Sequence, residues 1–314
     1  MDMRLDCLAR LKVDQSTGRP APHQPCLLLA IICEIQAGHI VSPRIQIDTR
    51  LIARYHDIFE TVTGDRHRAR PWMPIWALRN REGPTGKLWR PEYVQAVQGV
   101  ADQMGQPKSM NQLEQRFGAA QLDPALFLTL QDPAIAREAC ALMANRYLSS
   151  DKETHARLQA YLETALASGE YEKAPERLTG EVRESDQSQA RSAAFRSLVL
   201  EAYDYCCAAS RRRFITPDFR FLVEAAHLIP FAASRDDRPC NGLALTPDLH
   251  WAMDNHLIAP GPDRNWHVSP MVDSLVEDNQ WLWRLDKQPL VLPRDERFHP
   301  HEDGLAWRID HLQR

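Results

Sequence analysis

The chain contains 314 residues, of which 44% are hydrophobic and 25% charged, and its formal net charge is -4. This length exceeds that of a typical single domain and predicts two domains, because domains usually contain roughly 100–200 residues. The composition excludes a disordered or fibrous protein. The mild negative charge excludes a protein coated with basic surface, so any contact with nucleic acid has to come from local clusters of arginine.

The sequence carries no signal for a membrane or for export. Its most apolar run, residues 26–35, contains Glu34 and is far shorter than the roughly 18 residues of a membrane span. The N-terminus alternates charged and apolar residues and lacks the apolar centre of a signal peptide. The seven cysteines are odd in number and lie mostly in apolar patterns, as reduced thiols do. We therefore expect a cytoplasmic protein without membrane contact.

The first half of the chain is predicted to end in helices. Residues 26–35 follow three prolines and have the length and composition of a buried helix. Residues 68–93 hold three Trp, four Pro and two Gly among many Arg, which predicts short strands and turns and a candidate contact surface. Helical spacing returns over residues 110–166, where Asp123 and Asp132 each precede a proline and can cap a helix N-terminus.

A polar connector separates this half from the rest. Residues 167–192 lose their aromatic and branched apolar side chains and become charged, which is typical of an exposed linker. The predicted domains are therefore residues 1–166 and 193–314. Within the second domain, residues 219–223 and 241–246 are predicted to form two short strands.

The second predicted domain contains a spaced set of histidine and asparagine residues. A predicted strand ends at His227, Asn241 and Gly242 open the next strand 14 residues later, and a helix carries His250 9 residues further on. This pattern, with Pro230 three residues after His227, resembles the HNH nuclease family. The resemblance implies a β-hairpin packed on a helix, the ββα-metal unit, which gathers one residue from each element around one divalent metal ion.

The chemistry of phosphodiester hydrolysis suggests a role for each of these residues. The reaction needs a nucleophilic water and a metal that neutralises charge on the phosphate. By the resemblance, His227 is the general base, since an imidazole with a pKa of about 6.5 accepts a proton at neutral pH. Asn241 is expected to hold the loop and orient the His227 ring through a side-chain hydrogen bond. His250 is expected to ligate Mg²⁺ or Mn²⁺, with Asp254 as its hydrogen-bonding partner or as a second ligand.

The chain departs from the family at the position before the base. Many HNH sites carry an acidic ligand there, where this chain has Ala226. Glu224, two residues earlier, and Asp248, in the turn before His250, are candidates for the oxygen ligand that a hard cation prefers. Structural zinc is not expected, because the sequence has no C-x2-C pair.

Four segments of the first half resemble a second family, the DNA sulfur-binding domain. They are residues 18–32 (GRPAPHQPCLLLAII), 73–78 (MPIWAL), 83–89 and 123–148. That module precedes HNH domains in type IV restriction endonucleases, which attack phosphorothioate-modified DNA. The resemblance covers roughly residues 4–165. Together, the two resemblances imply a restriction enzyme of antiphage defence with modified duplex DNA as its partner.

Binding of a sulfur-bearing phosphate sets physical requirements. Sulfur is larger, softer and less hydrated than oxygen, so its site should pair an apolar pocket with cations for the neighbouring phosphates. The family's pocket proline and histidine are matched by Pro74 and His23. The aromatic that usually precedes the proline is Met73 here, and the basic residue that often follows the histidine is Gln24. The predicted DNA-binding residues are His23, Arg19, Arg66, Arg68, Arg70, Trp72, Met73 and Pro74 in the first domain and Arg211 and Arg212 in the second.

The sequence thus predicts an α+β protein of two domains, a mixed α/β domain that recognises modified DNA and a C-terminal HNH domain that cuts it. Three alternatives stay open. The first domain recognises a modified base instead of sulfur; Trp72, Trp76 and Trp89 are core aromatics with solvated arginines around them; or the HNH fold is degenerate and only binds DNA. The sequence does not define the recognised DNA sequence, the cutting distance or whether a homodimer makes the double-strand break.

Overall fold

A computed structural model describes residues 5–15, 18, 20–64, 68–149, 151–180, 185–216 and 220–314. The chain divides into two compact units, Met1–Glu170 and Tyr171–Arg314. Both units mix helices with small antiparallel sheets, so the α+β prediction is confirmed. None of the helices in the described ranges combines the length and the apolar character that a bilayer span needs.

The first unit combines a three-stranded antiparallel sheet with helices. The sheet has the order β1-β3-β2, with β1 at Arg44–Gln46, β2 at Trp89–Pro91 and β3 at Ala119–Leu122. The helices are α1 (Asp6–Ala9), α2 (His23–Gln36), α3 (Thr49–Thr63), α4 (Trp72–Ala77), α5 (Met110–Glu114), α6 (Pro124–Leu130), α7 (Pro133–Met143) and α8 (Lys152–Lys173).

Helix α2 forms the centre of the first unit's core. All of its residues except the first two are buried, as its uniformly apolar sequence predicts, and α3, α4 and α7 pack against it. Helices α6 and α7 begin where the sequence predicts. Asp123 and Asp132 each accept two backbone hydrogen bonds from the following turn, at 2.8 to 3.3 Å, and a proline follows each of them.

The prediction of strands and turns for residues 68–93 is wrong at its start. Residues 72–80 form α4 and a 3-10 turn, and the extended strand β2 comes only afterwards. The physical reason lies in the two prolines. Pro71 occupies the N-cap and Pro74 the first turn, where the missing N–H group costs no helical hydrogen bond.

The second unit contains a β-hairpin flanked by helices. Strand β4 (Glu224–His227) pairs antiparallel with β5 (Gly242–Leu245), and His227 lies opposite Gly242. Helix α9 (Ser185–Ala202) packs on the hairpin so closely that a Cβ on Gly242 would come within 2.8 Å of Phe195. Helix α11 (Pro247–Asp254) follows β5 and contacts β4. Hairpin and α11 form the predicted ββα unit.

The remaining elements of this unit complete one apolar core. They are α10 (Phe231–Ser234), the antiparallel pair β6 (Ile258–Pro260) and β7 (Trp266–Val268), α12 (Gln280–Trp283) and α13 (Glu302–His311). The core includes side chains from α9, the hairpin, α11 and the β6–β7 pair. The polar stretch 167–192 contains the end of α8 and the start of α9.

Candidate functional site

His227 stands at the end of β4 with its ring fixed on two sides. The ring stacks on Phe195, with centroids 3.9 Å apart and planes 10° from parallel, and Nε2 lies 3.0 Å from Oδ1 of Asp237. Asp237 is buried, and its other oxygen lies 3.5 Å from Nε of the buried Arg191. Because Nε2 is committed to a carboxylate, Nδ1 is the nitrogen left to accept a proton. Nδ1 forms no hydrogen bond within the described part of the chain.

Asn241 is fully buried and uses its side chain on the loop between the strands. Its amide oxygen accepts from the N–H of Ile229, and its amide nitrogen donates to the carbonyls of Ile229 and Asp236, each at 2.9 Å. The sequence predicts a hydrogen bond from Asn241 to the His227 ring, but the side-chain partner of that ring in the structure is Asp237. Asn241 therefore shapes the loop that carries Asp237.

His250 lies near the start of α11 between two carboxylates. Nδ1 is 2.9 Å from Oε2 of Glu224 on β4, and Nε2 is 3.2 Å from Oδ2 of Asp254 one helical turn later. The hydrogen bond to Asp254, together with that to Glu224, raises the pKa of His250 against the opposing effect of burial. The same contact with His250 lowers the pKa of Asp254. Asp248 is exposed and only two residues from His250, so it faces away from that ring.

The donors around His250 suit a hard divalent cation at an open site. Among the residues that the structure describes, no three His, Cys, Asp or Glu side chains converge on one point, so they form no closed metal site. His250 Nε2 and Asp254 Oδ2 offer an imidazole nitrogen and a carboxylate oxygen 3.2 Å apart, donor types that Mg²⁺ and Mn²⁺ accept. Such an ion keeps several water ligands, so two protein ligands fit it. Glu224 on Nδ1 orients the ring as metal-ligating histidines require.

Three arginines precede the hairpin on an exposed segment. Arg213 donates from Nε to the backbone carbonyl of Asp204 and pairs with its carboxylate at 3.3 Å. Arg211 and Arg212, the predicted phosphate contacts, are exposed. Phe214 follows this arginine run, and its backbone carbonyl accepts a hydrogen bond from the N–H of Leu222, just before β4. The two exposed guanidinium groups are therefore carried on a segment that borders β4.

In the first unit, His23 opens α2 and is fixed by an aromatic ring and a hydroxyl. Its ring stacks on Phe59 with centroids 4.7 Å apart, and Nδ1 lies 2.9 Å from the hydroxyl of Tyr55. Burial raises the pKa of Tyr55 well above its usual range, and a hydrogen bond from the backbone of Arg70 opposes that rise. One buried tyrosine therefore joins His23 to the segment that precedes α4.

The predicted pocket residues lie on α4 and just before it, and α4 packs against α2. The apolar residues are more buried than the basic ones: Pro74 is buried, Trp72 and Met73 are half-buried, and Arg68 and Arg70 are exposed. Trp76 and Trp89 are buried core aromatics, which the alternative interpretation of these tryptophans predicts. Arg19 and Arg66 lie outside the described residues.

Sequence reasoning missed two charged residues of these sites. Asp237, the partner of His227, follows Asp236 in the loop between the two motif strands, and an acidic pair at that place was the available signal. Arg81 donates from Nε to Oε1 of Gln24 at 2.8 Å, and burial lowers its pKa. A guanidinium group thus stands beside the position where the family often has a basic residue. No local pattern pairs Arg81 with Gln24, which are far apart in sequence.

Comparison with known proteins covers both halves of the chain. The family described as HNH endonuclease matches residues 206–259, which include His227, Asn241 and His250. The family described as the ScoMcrA-like DNA sulfur-binding domain matches residues 2–160, half of the chain. No curated protein matches the chain.

One similar solved structure is described as a modification dependent TagI restriction endonuclease. The alignment has a TM-score of 0.31 and 17% identity, and it covers 39% of this chain and 38% of that one. The chain thus spans well under half the length of that protein, and so weak a likeness does not establish a common fold. The sequence match over half of the chain does establish the family: this protein belongs to the ScoMcrA-like DNA sulfur-binding domain family and also contains an HNH endonuclease domain.

Proposed function

We propose that this protein is a modification-dependent restriction endonuclease that binds phosphorothioate-modified DNA through its first unit and hydrolyses the DNA backbone in its second. One observation carries the proposal. Two histidines with carboxylate partners lie in one ββα unit. His227 is bonded to the buried carboxylate of Asp237, and His250 lies between two carboxylates. The same chain contains a sulfur-binding domain.

In this mechanism His227 removes a proton from the attacking water. Nδ1 takes the proton while Nε2 stays bonded to Asp237, whose negative charge stabilises the imidazolium ion that forms. Arg191 beside Asp237 offsets the cost of burying that carboxylate. Stacking on Phe195 keeps the ring in one plane, so the base meets the water in a fixed orientation.

His250 and Asp254 would hold the divalent cation, Mg²⁺ or Mn²⁺, with Glu224 orienting the His250 ring. When bound, the cation neutralises charge on the scissile phosphate and on the leaving oxygen. Asp248 points away from His250, so we expect no contribution from it. Arg211 and Arg212 would bind the phosphates next to the cleaved one.

Recognition is assigned to the surface beside the start of α2. The half-buried Trp72 and Met73 would contact sulfur, which favours apolar neighbours, while Arg68 and Arg70 would bind the adjacent phosphates. Arg81, placed against Gln24, would supply a further cation there. A double-strand break needs two such cuts, so we expect two copies to act on one duplex in the cytoplasm.

Binding and nicking experiments separate this proposal from its alternatives. Three duplexes of one sequence are needed: one with a single sulfur on one phosphate, one with a methylated base and one unmodified. The proposal predicts tightest binding to the sulfur duplex. Preference for the methylated duplex would assign the first unit to a modified base, and binding without any nicking of DNA in Mg²⁺ or Mn²⁺ would identify a degenerate nuclease.

A further inference from the structure

The C-terminal helix α13 contacts all three segments of the HNH motif, although it lies beyond residues 206–259, which the family match covers. Its contacts begin with Arg308, which is 2% exposed. Nη1 donates to the carbonyl of Met253 at 2.7 Å, and Nη2 donates to the carbonyl of His227 at 2.6 Å. Nη2 also lies 3.2 Å from Oδ1 of Asp254. One guanidinium group therefore bridges the base residue and the helix that carries the metal-side carboxylate.

The other end of α13 contacts the asparagine of the motif. His301, the N-cap of the helix, has Nε2 3.3 Å from Oδ1 of Asn241, and its Nδ1 accepts from the N–H of Gly304 at 2.9 Å. A Cβ on Gly304 would lie 3.0 Å from Cβ of Leu228, the residue after His227. Helix α13 thus packs directly on the end of β4 and bonds to its neighbours at both ends.

Burying an arginine here has a physical cost that packing alone does not justify. Taking a guanidinium group out of water costs free energy on the order of several kcal/mol. Hydrogen bonds and a nearby opposite charge are needed to offset that cost. The Nε atom of Arg308 is buried and has no hydrogen-bond partner among the residues that the structure describes. An apolar side chain would fill the same space at lower cost, so the contacts to His227 and Asp254 are what distinguish the arginine.

From these contacts we infer that Arg308 is a positioning residue of the nuclease site, which sets the base His227 and the carboxylate of Asp254 relative to each other. The inference rests on the proposed function for its reaction. A planar guanidinium donates from two nitrogens in fixed directions. The lysine side chain is shorter and carries a single ammonium group, so it does not reproduce that geometry. Asp254 retains its second oxygen for His250 because Arg308 engages the first.

The test compares the full chain with Arg308→Lys, which keeps the positive charge, and with Arg297→Lys as a matched control. Arg297 lies in the same C-terminal region, is largely exposed and pairs with Asp295. For Arg308→Lys we expect kcat to fall about thirtyfold and Mn²⁺ affinity, measured by electron paramagnetic resonance, to fall about tenfold, as loss of a ligand-orienting group usually does. KM for DNA should stay close to wild type, and all quantities are measured at a temperature at which the variant is folded. Arg297→Lys should change none of these quantities.

A second variant uses chemical rescue. Cleavage by Arg308→Ala should rise when guanidinium ions are added at millimolar concentration, and sodium chloride at the same concentration should have no such effect. If Arg308→Ala does not fold, the lysine variant decides. Wild-type kcat and Mn²⁺ affinity in Arg308→Lys would overturn the inference, as would a folded Arg308→Ala that guanidinium does not restore.

The two proposals fail in different ways. If the wild-type chain cuts no DNA, the proposed function is wrong, and the Mn²⁺ affinity of Arg308→Lys against wild type still decides the role of Arg308. A wild-type chain that neither cuts DNA nor binds Mn²⁺ overturns both.

Discussion

His23 in the first unit and His227 in the second are each held by the ring of a phenylalanine and by a hydrogen bond. Each ring stacks on a phenylalanine, Phe59 at 4.7 Å and Phe195 at 3.9 Å between centroids. Each has one nitrogen in a hydrogen bond of about the same length, 2.9 Å and 3.0 Å. In these two hydrogen bonds the partner of His23 is the hydroxyl of Tyr55, whereas the partner of His227 is the carboxylate of the buried Asp237.

The proposed function gives the two rings different roles. The Phe59 ring and the Tyr55 hydroxyl fix the orientation of His23 beside the surface assigned to DNA recognition. The carboxylate of Asp237 occupies Nε2 of His227, so Nδ1 is the nitrogen that would take a proton from water. We therefore propose that similar ring contacts hold a binding residue in one unit and a reacting residue in the other.

Removal of divalent metal should have the largest effect and should act on the second unit alone. In EDTA we expect cleavage to fall below detection, because only cation-neutralised phosphate is attacked at a useful rate. Binding of sulfur-modified DNA by gel shift should be unchanged, since the recognition residues are arginine and apolar side chains. Mg²⁺ or Mn²⁺ should restore cutting. Full activity in chelator would contradict the assignment of His250 and Asp254.

Substitution of the two histidines should produce opposite losses. His227→Ala should lower the cleavage rate about a thousandfold, the loss of a general base, with DNA affinity within about twofold of wild type. His23→Ala should weaken binding of sulfur-modified DNA and leave the rate at saturating DNA unchanged. His267→Ala is the control, because that half-buried ring lies on β7 and pairs with Asp263 at 3.0 Å. Residual cleavage above a few per cent in His227→Ala would remove it from the mechanism.

Stability should respond to a carboxylate in the first unit. Glu34 of α2 is 1% exposed and accepts hydrogen bonds from Arg54 and His39, both at 2.8 Å. Burial alone would raise its pKa, but Arg54 and then His39 hold the pKa at about 2. Glu34→Gln should therefore lower the unfolding free energy of this unit by about 3 kcal/mol at neutral pH, the cost of breaking a buried pair.

The linkage sign gives this prediction a pH window. A carboxylate with a depressed folded pKa stabilises the fold above its unfolded value, 4.5, and that contribution disappears as pH falls towards about 2. The difference in urea unfolding between Glu34→Gln and wild type should shrink over that range. Glu92→Gln, at the exposed pair with Arg44, should cost under about 1 kcal/mol. A pH-independent difference for Glu34→Gln would refute the assigned pairing.

Asp237→Asn tests the carboxylate that holds the His227 ring. The amide keeps the size and one oxygen acceptor but loses the charge, so the cleavage rate should fall about fiftyfold while DNA affinity stays constant. Asp263→Asn, which alters the exposed pair with His267, is the control. An unchanged cleavage rate would show that Asp237 does not support the base.

The smallest expected effects concern the first unit, where one variant should change the preference for sulfur-modified DNA and another the affinity for all DNA. Met73→Gln should reduce the preference for sulfur-modified over plain DNA about tenfold, because the apolar contact is lost. Arg70→Ala should weaken binding to both duplexes by a similar factor of about five and reduce the salt dependence. Lys152→Ala, in the exposed first turn of α8, is the control. Equal losses of preference in the two variants would remove the division between Met73 and Arg70.

Local rules in the sequence predicted the elements whose causes are local. The buried helix α2 follows from an apolar run, and the starts of α6 and α7 follow from Asp-Pro caps. The ββα unit was implied by the resemblance to the HNH family. The helix at α4 was missed because prolines usually mark turns, and their tolerance in a first turn depends on where the helix begins.

Contacts between distant segments could not be predicted in this way. Arg308 reaches His227 across 81 residues of sequence, and Arg81 reaches Gln24 across 57. No periodicity or motif in the sequence predicts either contact, because both contacts depend on how elements distant in sequence pack together. Asp237 lies only 10 residues from His227 in the sequence. It was missed because the resemblance to the HNH family pointed to Asn241 as the hydrogen-bond partner of the His227 ring.

Cleavage of two duplexes that differ by one atom tests the central claim most directly. The 314-residue chain in Mg²⁺ or Mn²⁺ is given equal amounts of one DNA sequence with and without sulfur on a single phosphate, and cut product is measured at several salt concentrations. The account predicts that the sulfur-bearing duplex is cut and the plain one is spared, with the preference persisting as salt rises, because apolar contact is little screened. Equal cutting of both duplexes would contradict it.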